Sequence, residues 1–432
     1  MPAAGMQNGE SLVLGIESSC DDTGVAVVRA SDGAILGQAI TGQVDIHAPW
    51  GGVVPKLAQE AHGRAMQSTV QAALQQAGIS EEQLDGVAVT IGPGLSLCLQ
   101  VGVHQARRMA GQHSLKYIPV HHMEAHALIA RAGTAVAFPF LCLLVSGGHN
   151  MLVVVEGVGS YTLLGSTLDD AVGEAFDKVA RLLGLQLDPS GGAAVEALAR
   201  EGDDQRFRFS RPLVRKPNCN FSYAGLKTAV RLAINAELKG PPSEADRQMR
   251  ADIAASFQRV ALEHLEDRVA RAAGWALEEW PGIKHLVVAG GVAANQLLRS
   301  KLQALAEKQG LELAVPPPKL CTDNGVMVAW AGIERMRLGL WEHLPAHDAA
   351  AEEEWVDVRP RWPLTDRRDS RSLSEPRSER KKGLHTSLTE LTEQALGQGR
   401  AAHASQANGS SLQHGSPSLN SSSRAVQQAS AA

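Results

Sequence analysis

Nowhere in this chain do two cysteines stand in a C-x-x-C pair, and its five cysteines (Cys20, Cys98, Cys142, Cys219 and Cys321) are odd in number and scattered. That excludes a disulfide framework and a cysteine-built zinc site, and it reads as reduced thiols. Charge of one sign is also missing. With 41 Lys and Arg against 46 Asp and Glu, the formal net charge is -5, so any nucleic-acid contact has to come from a local basic patch. Long apolar runs are absent too. The best, Phe138 to Val145, is broken at once by Ser146-Gly147-Gly148, too short for a membrane span. Met1 to Glu10 has neither a signal-peptide core nor an arginine-rich amphipathic pattern, so no targeting segment is visible there.

What is present is a chain of 432 residues, long enough for two or three domains. Three strands are expected over Ser11–Glu17, Gly24–Arg29 and Ala34–Ile40. Apolar side chains at 54, 57, 58, 61, 65, 70, 73, 74 and 77 then repeat with helical period up to Gly78. A strand over 86–91, the turn Gly92-Pro93-Gly94 and a helix over 95–109 follow. The second half repeats the plan, with strands at 140–145, 151–156 and 161–164, a helix at 169–183, a strand at 285–289, the turn Gly290-Gly291 and a helix at 293–308. Two copies of one α/β plan imply two similar domains facing each other.

Between them, 202–242 reads as an irregular insertion and 252–280 as a long amphipathic helix; a last helix is expected at 323–338. From Thr365 onward the chain is Ser-, Gln-, Ala- and Arg-rich with few large apolar side chains, the composition of a disordered tail.

Chemistry concentrates in a few stretches. In Pro119-Val120-His121-His122-Met123-Glu124-Ala125-His126 a strand runs into a helix, and residues four apart share a helix face, so His122 and His126 point the same way. Two imidazoles so placed can grip a divalent metal if a carboxylate closes the site, although a pair at this spacing equally suits surface or core-satisfied histidines. Asp323, at the start of the last helix, is the best-placed carboxylate, though it also suits an N-cap; Glu124 points off the histidine face.

The turn Glu17-Ser18-Ser19-Cys20-Asp21-Asp22-Thr23-Gly24 and its second-half counterpart Leu144-Val145-Ser146-Gly147-Gly148-His149 suit phosphate, although both also suit ordinary hairpins. Gly290-Gly291-Val292-Ala293-Ala294-Asn295 enters a helix, where Asn295 either meets a ribose or base or caps the helix. Asp177 lies one turn beyond Gly173, on a face able to accept from ribose hydroxyls. Arg206, Arg208, Arg211, Arg215, Lys216, Lys227 and Arg231, interleaved with Phe207, Phe209, Phe221 and Tyr223, form either an RNA-facing segment or a mixed surface loop.

The chain resembles the tRNA adenosine threonylcarbamoyltransferases through GIESSCDDTGVAVV, QVDIHAPWGGVVP, VHHMEAHALIA, LLVSGGHN, STLDDAVGEAFDKVARLLGL, FSYAGLKT, DIAASFQ, VVAGGVAAN and CTDNGVMVAWAG, in family order from about residue 12 to 338. The resemblance implies a bilobal actin-like ATPase (ASKHA) fold. One lobe would span 11–138, completed by the helix at about 323–340; the second would span 139–322 with an insertion at about 202–280, followed by the tail 365–432.

The resemblance also implies one divalent metal, iron or zinc, held by His122, His126 and Asp323, with the adenylate of threonylcarbamoyl-AMP met by Leu144, Val145, Ser146, Gly147, Gly148, Asp177, Gly192, Glu196 and Asn295. The exocyclic amine of the adenosine beside the anticodon of a tRNA would attack the carbamoyl carbonyl, with Asp21 or Asp22 first in line to take its proton. A homodimer or auxiliary subunits, and no membrane, are the implied partners.

Lys56 and Gln59 stand where many members carry Glu and Arg, Pro189-Ser190-Gly191-Gly192-Ala193 replaces a Pro-Gly-Gly-Pro loop, and Val358-Arg359-Pro360-Arg361-Trp362-Pro363 extends the core. The first and last of these departures resemble plant-type organellar members and point to a mitochondrial protein, with the chloroplast, or the cytoplasm of a bacterium, as alternatives. Two other readings conflict with the residues. A zinc peptidase needs H-E-x-x-H, whereas Glu124 sits in H-x-E-x-H. A non-catalytic scaffold has no use for the retained histidines and Asp323.

Overall fold

A computed structural model describes residues 11–50, 52–187, 190–238, 243–345 and 357–373. The chain opens with β1 (Leu12–Glu17), β2 (Asp22–Arg29) and β3 (Ile35–Gly42), then α1 (Val44–His47), α2 (Pro55–Ala77), β4 (Gly86–Gly92), α3 (Ser96–His113), β5 (Lys116–His121) and α4 (His122–Leu128). It continues with β6 (Phe140–Val145), β7 (Asn150–Gly157), β8 (Ser160–Ser166), α5 (Val172–Leu182), α6 (Gly191–Ala199), α7 (Ala224–Glu237) and α8 (Arg247–Glu279). The last elements are β9 (His285–Ala289), α9 (Gln296–Lys308), β10 (Glu312–Ala314), α10 (Gly325–Arg337) and β11 (Glu342–His343).

Local chemistry sets the limits of α2. Pro55 occupies its first turn, where no amide donor is missed, and Gly78 ends it in the left-handed region with its N–H on the last carbonyls.

The two sheets share one topology. The first runs β11-β5-β4-β1-β2-β3 and the second β10-β9-β6-β7-β8. In each, an antiparallel three-strand meander pairs through its first strand, in parallel, with the later strands: β1 with β4 and β6 with β9. This is the bilobal actin-like α/β architecture. One apolar core joins the lobes, drawing Val13 and Val120 from the first sheet, Cys142 and Val287 from the second, and the buried faces of α4 and α10.

Helix α10 follows the second lobe in sequence but packs on the first sheet, and only glycine permits the approach. A Cβ on Gly15 would lie 2.3 Å from the Ala329 nitrogen and the Gly325 carbonyl, and one on Gly325 would lie 2.4 Å from the Ala26 nitrogen. The seam lays the start of α10 against the β1–β2 hairpin.

Three expectations are corrected. The 202–242 stretch contains α7, whose first amides, Tyr223 and Ala224 N–H, donate to Asp169 at 2.8 and 3.2 Å. That acid caps a partner helix across sequence, and α5 starts only at Val172.

The tail is ordered beyond Thr365: Leu163 N–H donates to the Arg367 carbonyl and Asp369 N–H to the Leu163 carbonyl, both at 3.0 Å. Upstream, Arg359 N–H donates to the Ile91 carbonyl at 2.7 Å, and the His121 ring meets the Trp362 carbonyl at 3.0 Å. Residues 357–373 therefore run from the first lobe to the edge of the second. Borrowed hydrogen bonds hold them, together with Val358, Trp362 and Leu364, which pack against the two cores. The remainder of the expected tail lies outside the described residues.

Replacing Gly325 with Ala should cost about 1–3 kcal/mol or more, because the added methyl meets backbone that cannot rotate away. A urea midpoint equal to that of the unchanged chain would show that the seam is looser than described.

Candidate metal centre and nucleotide cleft

Strand β5 delivers its last residues into α4, and His121 makes the junction: its Nδ1 accepts the Met123 N–H at 3.1 Å, which leaves Nε2–H to donate to Trp362. One turn of α4 then sets the His122 and His126 rings edge-on, 4.7 Å apart. Asp323 Oδ1 lies 3.0 Å from His126 Nε2 and 3.6 Å from His122 Nε2, and the three ligand atoms all fall within 4.8 Å of one another.

Asp323 is not the helix cap. Asn324 takes that role, its Oδ1 accepting the Met327 N–H at 2.9 Å, which leaves the Asp323 carboxylate to face the histidines.

A residue expected only as part of a phosphate-compatible turn completes the cluster. Glu17 is fully buried at the end of β1 and accepts from Ser19 N–H at 2.7 Å and the Thr90 hydroxyl at 2.6 Å. Its other contact is His122 Nδ1 at 3.2 Å. That contact keeps a proton on Nδ1 and turns Nε2 toward Asp323, the arrangement by which outer carboxylates orient metal-binding imidazoles. His126 has no such support, since its Nδ1 is buried without a partner. The signal was an acid closing an apolar strand, a residue type rarely buried unless paired.

Burial alone would lower the His122 pKa, but the Glu17 and Asp323 carboxylates raise it to about 9. Burial works the other way on Asp323, and the two histidines still pull its carboxyl well below its usual value. Two carboxylates and two imidazoles thus demand a cation, and a proton supplies it where no metal is bound. The donor set of two imidazole nitrogens and one carboxylate oxygen fits zinc or ferrous iron. Asp22, beside this field, is pushed up to about 7 by burial and by Asp21, Asp323 and Glu17.

Next to the cluster lies a cavity of about 240 Å³ lined by residues of the second lobe, among them Gly147, Asp177, Gly192, Glu196, Asn295 and Thr322. Five residues expected to meet adenylate line it, and Thr322 is adjacent in sequence to Asp323. Burial raises the Asp177 pKa, opposed first by the Arg181 charge and then by the nearby Gly191 and Gly192 amides.

Other expected contacts do not converge there. Leu144 and Val145 are buried inside β6, paired with β7 and β9, and Gly148 does not line the cavity. Ser146 N–H closes the turn onto the His149 carbonyl at 2.9 Å. The Asn295 side chain is committed, its Oδ1 capping α9 through Leu298 N–H and its amide donating to Gln258, so the cap reading describes it. Glu196 Oε1 accepts the Gln296 N–H at 2.9 Å.

The expected base-stacking segment is also corrected. Phe221 and Tyr223 are fully buried, and Phe207 and Phe209 stack on each other against the core. Arg206 and Arg211 pair with Asp252 and Asp267, each at 3.5 Å. Glu124 is tied to Arg335 at 2.9 Å and to the Tyr161 hydroxyl at 2.5 Å, which removes it as the base of a peptidase.

A family model described as tRNA N6-adenosine threonylcarbamoyltransferase matches residues 34–330. The chain is 54% identical over 388 residues to an Arabidopsis thaliana protein named probable tRNA N6-adenosine threonylcarbamoyltransferase, mitochondrial, covering 88% of this chain and 80% of that one. It is 48% identical over 353 residues to a Paramagnetospirillum magneticum protein of the same transferase name, covering 82% and 97%. Among solved structures it is similar in fold to HypF of T. kodakarensis, with a TM-score of 0.50 at 15% identity, covering 76% of this chain and 48% of that one.

Glu17→Gln should weaken zinc or ferrous-iron affinity about 10- to 100-fold, because His122 loses its orienting partner; an unchanged competition titration would remove Glu17 from the site. Since His122 holds its proton up to a pH of about 9, metal must displace that proton at neutral pH. Affinity should therefore fall roughly tenfold per unit of acidification below that pH, with about one proton released on uptake. A pH-independent affinity between pH 6 and 8 would contradict it.

Proposed function

The chain belongs to the tRNA N6-adenosine threonylcarbamoyltransferase family, and from that premise we propose that it moves the threonylcarbamoyl group of threonylcarbamoyl-AMP onto the exocyclic amine of the adenosine beside the anticodon. Its substrates are tRNAs reading codons that begin with A, and AMP is released. The observation that carries this reading is the meeting of His122, His126 and Asp323 beside a nucleotide-sized cavity.

His122, His126 and Asp323 would hold a divalent cation, iron or zinc, which when bound would supply Lewis-acid stabilisation of developing negative charge. Glu17 keeps His122 in the tautomer that presents Nε2. The open backbone at Gly147, where an added Cβ would meet nothing within 4 Å, admits the donor's phosphate close to the amides of the turn. The amine nitrogen attacks the carbamoyl carbon, the carbon–oxygen bond to phosphate breaks, and AMP departs with the electron pair. Asp22, poised at a pKa of about 7, is the carboxylate suited to take the amine proton, with Asp21 beside it.

We assign the chain to a mitochondrion, because the Arabidopsis relative carries that word in its name. No helix among the described residues is long and apolar enough to cross a membrane. A homodimer or auxiliary subunits are the working assemblies to supply in an assay.

Given threonylcarbamoyl-AMP and unmodified tRNA, the purified chain should form modified adenosine, and His126→Ala should not. Absence of product with metals and auxiliary subunits present would count against the assignment. Asp22→Asn should lower kcat about 100-fold or more while leaving metal content unchanged; an unaltered kcat would pass the base role to another group.

A further inference from the structure

Helix α5 serves two cavities. Gly173, Phe176 and Asp177 line the one beside the metal cluster. Lys178, Arg181 and Leu182, further along, line another of about 310 Å³ together with Lys227, Thr228 and Arg231 of α7. Four cations meet here, against three carboxylates: Asp170, Glu174 and Asp177, whose pKa the Arg181 charge lowers against burial. Asp170 accepts from Lys178 at 3.1 Å and also from Lys227, and Glu174 pairs with Lys178 at 2.7 Å. Arg181 and Arg231 are exposed and make no hydrogen bond or ion pair to another described residue. An excess of positive charge is thus gathered in a concave site on a chain whose net charge is -5.

We propose that this pocket between α5 and α7 binds phosphodiester groups of the tRNA, a placement that rests on the transfer function above. Guanidinium forks match phosphate oxygens in pairs, and cations crowded in excess of their carboxylates favour an anion. Position favours a polyanion over a small one. Arg181 lies eight residues along α5 from Gly173, about 12 Å at helical rise, so a strand with one base in the cleft has neighbouring phosphates within reach. The arginines at 206 and 211, by contrast, already have carboxylate partners.

The test is the full-length R181E/R231E variant beside R181K/R231K. Affinity for unmodified tRNA at physiological salt should fall roughly tenfold in the first, with the slope of log K against log salt reduced by about two. The lysine variant should retain most of the binding, and metal content and KM for threonylcarbamoyl-AMP should be unchanged in both. Unaltered tRNA affinity and salt slope, beside an active wild-type chain, would overturn the pocket and leave the transferase reading intact. A wild-type chain that forms no modified adenosine would instead count against that reading. If inorganic phosphate raised the melting temperature of the wild type but not of R181E/R231E while tRNA binding was unchanged, the pocket would belong to a small anion and the proposal would fail.

Discussion

The backbone-to-backbone contact between α10 and the β1–β2 hairpin governs where chemistry can occur in this molecule. The contact exists because Gly15, Gly24 and Gly325 leave no side chain between helix and sheet. A helix held 8–10 Å from its neighbour by ordinary side chains would carry Asp323 away from the histidines. The seam sets the height of α10, Asn324 sets its first turn, and the carboxylate one residue earlier is left to face α4. Packing, capping and site geometry are here one constraint.

Electrostatics then explains why the cluster is stable only with a cation in it. Glu17 is fully buried and Asp323 about 30% exposed on its side chain, and a buried carboxylate without a partner costs several kcal/mol. In the metal-free protein the His122 proton meets that need, held by Glu17 on one ring nitrogen and facing Asp323 with the other. A metal ion bound by the same three side chains would take the place of that proton. Such a site is preorganised, with the repulsion between its carboxylates already offset by the fold.

Much of this was legible in the residues. The four-residue spacing of His122 and His126 places two imidazoles on one helix face whatever the tertiary structure, and the repeated order of strands and helices indicates the twin sheets. Asp323 was nominated from sequence, but its reach depends on the glycine seam, a contact between segments some 300 residues apart that local periodicity does not encode. Glu17 was hidden for a related reason: its partners Thr90 and His122 come from another strand and a distant helix. Asn295 offered two readings, and only the Leu298 amide at its side chain separates them. Phe221 and Tyr223 looked like stacking rings because aromatic side chains between cations suit RNA and a core equally well; burial decided it. The stretch from 365 to 373 reads as tail because the edge hydrogen bonds that hold it leave no compositional trace.

Thr322 and Asp323 connect the two halves of the site. Thr322 lines the cavity formed by α5, α6 and the turn before α9, whereas Asp323 is placed by α10 on the first sheet. One peptide bond therefore separates a residue that senses the second lobe's ligand from a residue that closes the metal set.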